Sequence, residues 1–235
     1  MRTTAIITLA LSSLLTACGS DDGGESALQL PTPGAGFGSN NSTLYRAELA
    51  QIQNSSGNSL WSQQDCSAAT QGFSKRQSIR FYNDSDIEMV ILAYPDQNCL
   101  EPFERLVYQG KFEIKGTSDE DLRNGDSAIR FEAIFTQATS TLLTEERVEA
   151  RNGPSGGSGA CDRQDWAIGK AIDISDYNRC FPLFPISERQ QQRLVQNQLL
   201  SNGRAALFLD NPDKRDSLAA FPYQMDTTPF EPVIN

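Results

Sequence analysis

The chain contains no histidine. That absence removes Ser-His-Asp and Cys-His nucleophilic catalysis, histidine-ligated zinc hydrolysis and the side chain most used as a general base near neutral pH. Lysine is also scarce: Lys75, Lys111, Lys115, Lys170 and Lys214 are the full set, and none completes a Ser-x-x-Lys pattern. Carboxylates are plentiful but scattered, and no spacing singles out a pair, which is the pattern of a solvated surface. Lys and Arg total 20 against 30 Asp and Glu, a net charge of −10 that disfavours nucleic acid and anionic lipid surfaces as partners. The five cysteines include no Cys-x-x-Cys, so zinc finds no ligand set. We therefore expect a chain without metal, cofactor or catalytic residues.

Long apolar runs are missing too. The one extended stretch, Ala5 to Leu15, is broken by Thr8, Ser12 and Ser13 and is too short to span a bilayer; after Met1-Arg2 it reads as a signal-peptide core. It closes on Leu15-Thr16-Ala17-Cys18, which resembles the lipobox of bacterial lipoproteins. The resemblance implies a signal peptide over 1–17, cleavage before Cys18, and acylation of Cys18, with more than one acyl chain holding the protein on a membrane. Cleavage would remove one arginine and no acid, leaving the mature chain more acidic. Gly19, in the position where an aspartate tends to retain such proteins in the inner membrane, favours the outer membrane of a cell envelope.

Residues 18–42 are rich in Gly, Ser, Asp and Pro and read as a flexible tether, followed by one β-rich domain over 43–235. Cys66, Cys99, Cys161 and Cys180 remain once Cys18 is set aside, and an even number in an exported chain points to two disulfides. Three pairings are open. We favour Cys66–Cys99 with Cys161–Cys180, because each encloses one contiguous segment.

Within the domain, LYRAELAQIQ from Leu44 suits a strand or a short helix equally. Gln77–Tyr82 and Ile87–Tyr94 alternate apolar and polar residues around a turn at Asn83-Asp84-Ser85, a hairpin. Arg105–Lys115 alternates again, and Gly110 at its centre marks a bulge or bend. Ala128–Thr136 follows a turn at Asn124-Gly125-Asp126, with Ala138–Leu143 as an extension. Arg151–Gly159 reads as a Gly-rich surface loop, since the nearest following lysine, Lys170, is too distant for a phosphate cradle. Ser187–Leu200 has a helical composition with Ser187 as N-cap, but a two-residue turn at Asn202-Gly203 would pair it as a strand with Arg204–Leu209, and we prefer the strand. The Pro-rich stretch from Phe221 to Pro232 reads as an extended edge or covering segment.

Several landmarks resemble a group of lipocalin-like bacterial lipoproteins related to the extracellular adenomatosis-polyposis-coli-down-regulated domain. They are Leu60-Trp61 before Cys66, Ser78-Ile79-Arg80-Phe81, Tyr94-Pro95-Asp96-Gln97-Asn98-Cys99, and Gly110-Lys111-Phe112-Glu113-Ile114. Arg215-Asp216-Ser217-Leu218 with Tyr223 and Asp226 is similar to the family's terminal segment but lacks its proline. The resemblance covers roughly residues 58–230, is densest up to Ile114, and is structural throughout. It implies an antiparallel barrel or half-barrel, a Cys66–Cys99 clip between the opening strand and the first hairpin, and a lipid or other apolar ligand.

The functional expectation is a non-catalytic barrel binding an apolar small molecule, with Trp61, Phe81, Met89, Tyr108, Phe112, Phe131, Phe135 and Trp166 facing inward. The same side chains filling a small barrel as ordinary core would leave no room for a ligand. The alternative is a structural or interaction lipoprotein contacting another envelope protein through loops 151–159 and 161–180.

Overall fold

A computed structural model describes residues 31–53, 59–68, 73–118, 127–153, 164–175, 189–211, 220–222 and 225–233. Two helices and ten strands run in the order α1 (Arg46–Ile52), β1 (Ser59–Gln63), β2 (Ser67–Ala68), β3 (Ser74–Tyr82), β4 (Asp86–Tyr94), β5 (Glu104–Ser118), β6 (Ala128–Leu142), α2 (Glu145–Asn152), β7 (Ala171–Asp173), β8 (Gln190–Leu199), β9 (Ala205–Leu209) and β10 (Phe230–Pro232). All pairings are antiparallel. Each long strand pairs with the next in sequence, β10 pairs with both β9 and β1, and β1 returns to β3, so eight strands close into an up-and-down barrel with β2 and β7 attached outside the ring. This is the lipocalin-like architecture expected from sequence, closed rather than half-open.

Strand periodicity explains the core. In β4, Ile87, Met89, Ile91 and Ala93 are buried and alternate with less buried neighbours, as the period of two requires. The first hairpin forms as expected, with Tyr82 opposite Asp86 across Asn83-Asp84-Ser85. The register between β5 and β6 shifts at Gln109/Gly110 and again between Ile114 and Gly116. Gly110 is obligatory at the first shift, because a Cβ there would lie 2.0 Å from the Ile134 carbonyl oxygen.

The strand reading of 187–200 holds for β8, paired with β9 from Val195↔Leu209 to Leu199↔Ala205. The connecting loop has three residues, Ser201-Asn202-Gly203, and not two. Leu200 N–H donates to the Arg204 carbonyl at 2.8 Å, and Gly203 takes φ +78°, the left-handed residue such a loop needs. LYRAELAQIQ resolves to α1, which buries Leu49 and Ile52. The Pro-rich C-terminal stretch contributes a ring strand instead of a cover: Phe230–Pro232 completes the closure, while Met225 and Phe221 pack outside the barrel on Leu194, Ala206 and Phe208.

Structured chain also extends upstream of Thr43. Asn41 is fully buried, its Nδ2 donating to the Asp84 and Phe112 carbonyls at 2.8 and 3.0 Å and its Oδ1 accepting from Ile114 N–H at 2.7 Å. These bonds pin the entering chain beside the Asn83–Ser85 turn. α1 sits at the same end, its Ile52 carbonyl accepting from Trp61 Nε1 at 2.9 Å and its Gln51 carbonyl from Asn197. This turn end holds the connections β3–β4, β5–β6 and β8–β9. The connections β1–β3, β4–β5, β6–β8 and β9–β10 leave from the opposite, loop end. Among the described residues no helix is long and apolar enough to cross a membrane, which says nothing of strands.

Candidate functional site

The eight aromatic and thioether side chains expected to line a ligand pocket are all buried in one cluster. Phe81 meets Phe112 and Phe131 edge-on at centroid distances of 5.1 and 5.5 Å, and Tyr108 meets Phe135 at 6.2 Å. Met89 pairs across the sheet with Tyr108, and Trp61 with Ile79. Trp166 joins from the loop end, held by two bonds to Asn152: its backbone N–H donates to Oδ1 at 3.1 Å and its carbonyl accepts from Nδ2 at 2.9 Å. The eight therefore pack on one another as core, which is how small barrels fill their interiors. Burial pushes the Tyr108 phenol far above the ordinary tyrosine range, with Arg189 opposing and Glu104 adding to the shift.

The loop end carries the chemistry that composition and spacing did not reveal. At its centre Glu104, the first residue of β5, is 3% exposed. Its carboxylate accepts from Ser140 Oγ at 2.8 Å, from Arg147 Nε and Nη2 at 3.2 and 3.0 Å, and from Arg151 Nη2 at 3.1 Å. Both arginines come from α2, four residues apart and thus on one helix face. Arg151, read from sequence as the start of an exposed Gly-rich loop, is instead a buried helical residue whose guanidinium lies 5.8 Å from the Trp166 ring. The remainder of that loop, 154–159, the turn at 124–126, Ser187, Cys161 and Cys180, and the terminal landmarks Arg215–Leu218 and Tyr223 lie outside the described residues.

The single carboxylate of Glu104 is shared by the guanidiniums of Arg147 and Arg151. Burial pulls the Arg151 guanidinium below the ordinary arginine value; Glu104 opposes this and the neighbouring Arg147 adds to it. α2 begins at Thr144, whose Oγ1 accepts from Arg147 N–H at 3.3 Å, and this N-cap is the sequence signal that marks the helix.

Beside this network lies a groove of about 300 Å³ between α2 and the β4–β5 connection. Phe73, Pro95, Phe103 and Ala150 form mostly apolar walls, Thr144 and Arg147 line the groove, and Glu101 and Glu146 complete the lining as exposed acids. Phe73 and Phe103 meet edge-on at 5.1 Å, and the Arg147 guanidinium lies over both rings, 5.8 and 4.7 Å from their centroids. The walls are fixed from two sides. The Cys66–Cys99 disulfide, with Cα atoms 5.8 Å apart, ties the β1–β3 connection that leads to Phe73 to the loop that carries Pro95 and Glu101. Phe103 N–H donates to the Ala93 carbonyl, and Leu143 N–H to the Phe103 carbonyl, both at 2.9 Å.

None of the eight residues expected around a ligand lines this groove. Its volume and its apolar walls with a few polar groups fit the description of a small-molecule site. The chain matches no protein-family model and no curated protein sequence.

Proposed function

We propose that this chain is a bacterial cell-envelope lipoprotein, acylated at Cys18, whose non-catalytic barrel binds a lipid or other apolar small molecule in the groove at its loop end. The observation that carries the reading is the groove itself: an apolar cavity of about 300 Å³ on a scaffold held rigid by a disulfide and a buried ion-pair network. The lipobox residues Leu15 to Cys18 support the anchor, and Gly19 supports the outer membrane. The absence of histidine supports a binding role over a catalytic one. The Cys66–Cys99 clip and the Gly110–Ile114 strand support kinship with the extracellular adenomatosis-polyposis-coli-down-regulated domain group.

Binding is testable with an uncharged fluorescent apolar probe such as N-phenyl-1-naphthylamine. Saturable binding that Ala150→Trp abolishes is the expected result, since Ala150 is exposed on the groove wall and the indole would fill it. Binding that survives this substitution unchanged places the ligand elsewhere and ends the groove reading. The anchor is tested by Cys18→Ser, which should move the protein out of the membrane fraction; unchanged fractionation refutes it. A second reading, docking of another envelope protein on the loop end, is favoured by Leu100 and Ile168, exposed at 76% and 50% in the connections of that end.

A further inference from the structure

Resting on the reading that the groove is a ligand site, we infer that its ligand is a single-chain zwitterionic amphiphile: a hydrocarbon chain, an anionic group next to it and an ammonium group beyond. The charge arrangement carries this. Arg147 commits Nε and Nη2 to Glu104, while its Nη1 has no hydrogen-bond partner among the described residues. The guanidinium is held by Glu104 and by stacking on Phe103 and Phe73, so its free edge is a fixed cationic donor in an apolar cavity. The Thr144 hydroxyl lines the same cavity one helical turn back; its oxygen accepts from Arg147 N–H, and its own proton has no acceptor among the described residues.

An anionic group from a ligand would be met by that free edge of Arg147 and by the Thr144 hydroxyl. A purely anionic amphiphile would then meet Glu101 and Glu146, both exposed and lining the same groove. A purely cationic one would find those acids but would place its positive end near Arg147. An anion against Arg147 and Thr144 with an ammonium group against Glu101 and Glu146 satisfies both, and Phe73, Pro95, Phe103 and Ala150 take the chain.

The experiment uses the full chain carrying Cys18→Ser, so that no acyl chain attached there competes. Binding of four dodecyl amphiphiles is measured calorimetrically below their micelle concentrations, with amide shifts of Thr144, Arg147 and Ala150 locating the site. Dodecylphosphocholine should bind about tenfold more tightly than dodecyl phosphate, dodecyltrimethylammonium or the uncharged dodecyl maltoside, a factor of ten being 1.4 kcal/mol. Glu101→Gln with Glu146→Gln, both at exposed positions, should remove the advantage over dodecyl phosphate. Arg147→Gln should remove the advantage over dodecyltrimethylammonium. Equal binding of all four in the groove overturns the zwitterion inference and leaves the apolar-ligand reading intact. No groove binding by any of them overturns both.

Discussion

Replacing Glu104 with alanine tests the buried network directly. The carboxylate and the Arg151 guanidinium are 3% and 4% exposed, and the pair is closed by the Ser140 hydroxyl and the more accessible Arg147, 24% exposed. Removing the carboxylate takes the Glu104 charge away from the buried Arg151 guanidinium, which lies against Trp166, and breaking a buried pair from one side costs about 3–5 kcal/mol. Arg147 contributes less to that loss because it can turn to water. In a domain of this size each kcal/mol lowers Tm by about 2–4 °C, so the expected drop lies between about 6 and 20 °C, read by circular dichroism and by urea unfolding. The diagnostic measurement is the double variant Glu104→Leu with Arg151→Met. It removes both charges and fills the space with hydrocarbon, and so should recover at least half of the single-variant loss. A Glu104→Ala loss below about 1 kcal/mol, or a double variant as unstable as the sum of its parts, would falsify the assignment of Glu104 as the counter-charge of Arg151.

Gly110→Ala should destabilise the barrel by about 3 kcal/mol or prevent folding, because its Cβ would sit 2.0 Å from the Ile134 oxygen and 2.7 Å from Phe135 Cα; yields and urea midpoints like those of the parent chain would contradict that geometry. Reducing Cys66–Cys99, which spans a sequence separation of 33, should cost about 3–4 kcal/mol by loop-closure entropy and should weaken groove binding, as seen by comparing oxidised protein with a Cys66→Ser/Cys99→Ser variant. Asp86 supplies a pH dependence. Burial alone would raise its carboxyl, but hydrogen bonds from Asn83 Nδ2, at 2.6 Å, and from Lys111 outweigh burial and hold it below the ordinary aspartate value. Its stabilising contribution is therefore present above the unfolded-state value and is lost as pH falls through the lowered one. Urea unfolding of Asp86→Asn against the parent should show a stability gap at near-neutral pH that closes in acid, and a gap that is constant with pH would rule the linkage out.

The legible part of the fold was the part with local cause. Strands β3 to β6 announce themselves by alternation, the first hairpin by Asn83-Asp84-Ser85, and the bulge by a lone glycine inside a strand pattern. The closing strand was obscured because Pro229 and Pro232 flank Phe230-Glu231, and proline argues against a strand wherever the sequence is read locally. Asn41 looks like one more residue of a polar tether until its side chain is seen completing three backbone hydrogen bonds. The loop-end network was hidden for a deeper reason. Glu104 meets Ser140, Arg147 and Arg151 across 36 to 47 residues, and no periodicity tells a buried arginine from a solvated one. The Thr144 cap followed by Glu145 and Glu146 would have located α2, though not the direction in which its arginines point.

Closure of the ring bears on where recognition can occur. Each of the eight ring strands has neighbours on both sides, so the ring offers no free edge for strand addition, and contacts must be made by side-chain faces or by the two ends. At the turn end α1 and Asn41 pack beside the three-residue connections β3–β4 and β8–β9, while most of the β5–β6 connection, 119–126, lies outside the described residues. At the loop end Trp166 and the Glu104–Arg151 pair lie over the packed aromatic core, and a ligand headed for the barrel interior would have to separate a buried ion pair first. The groove asks for no such separation: it is already open between α2 and a disulfide-held loop. That difference in cost is why the ligand reading belongs to the rim of this barrel rather than to its interior.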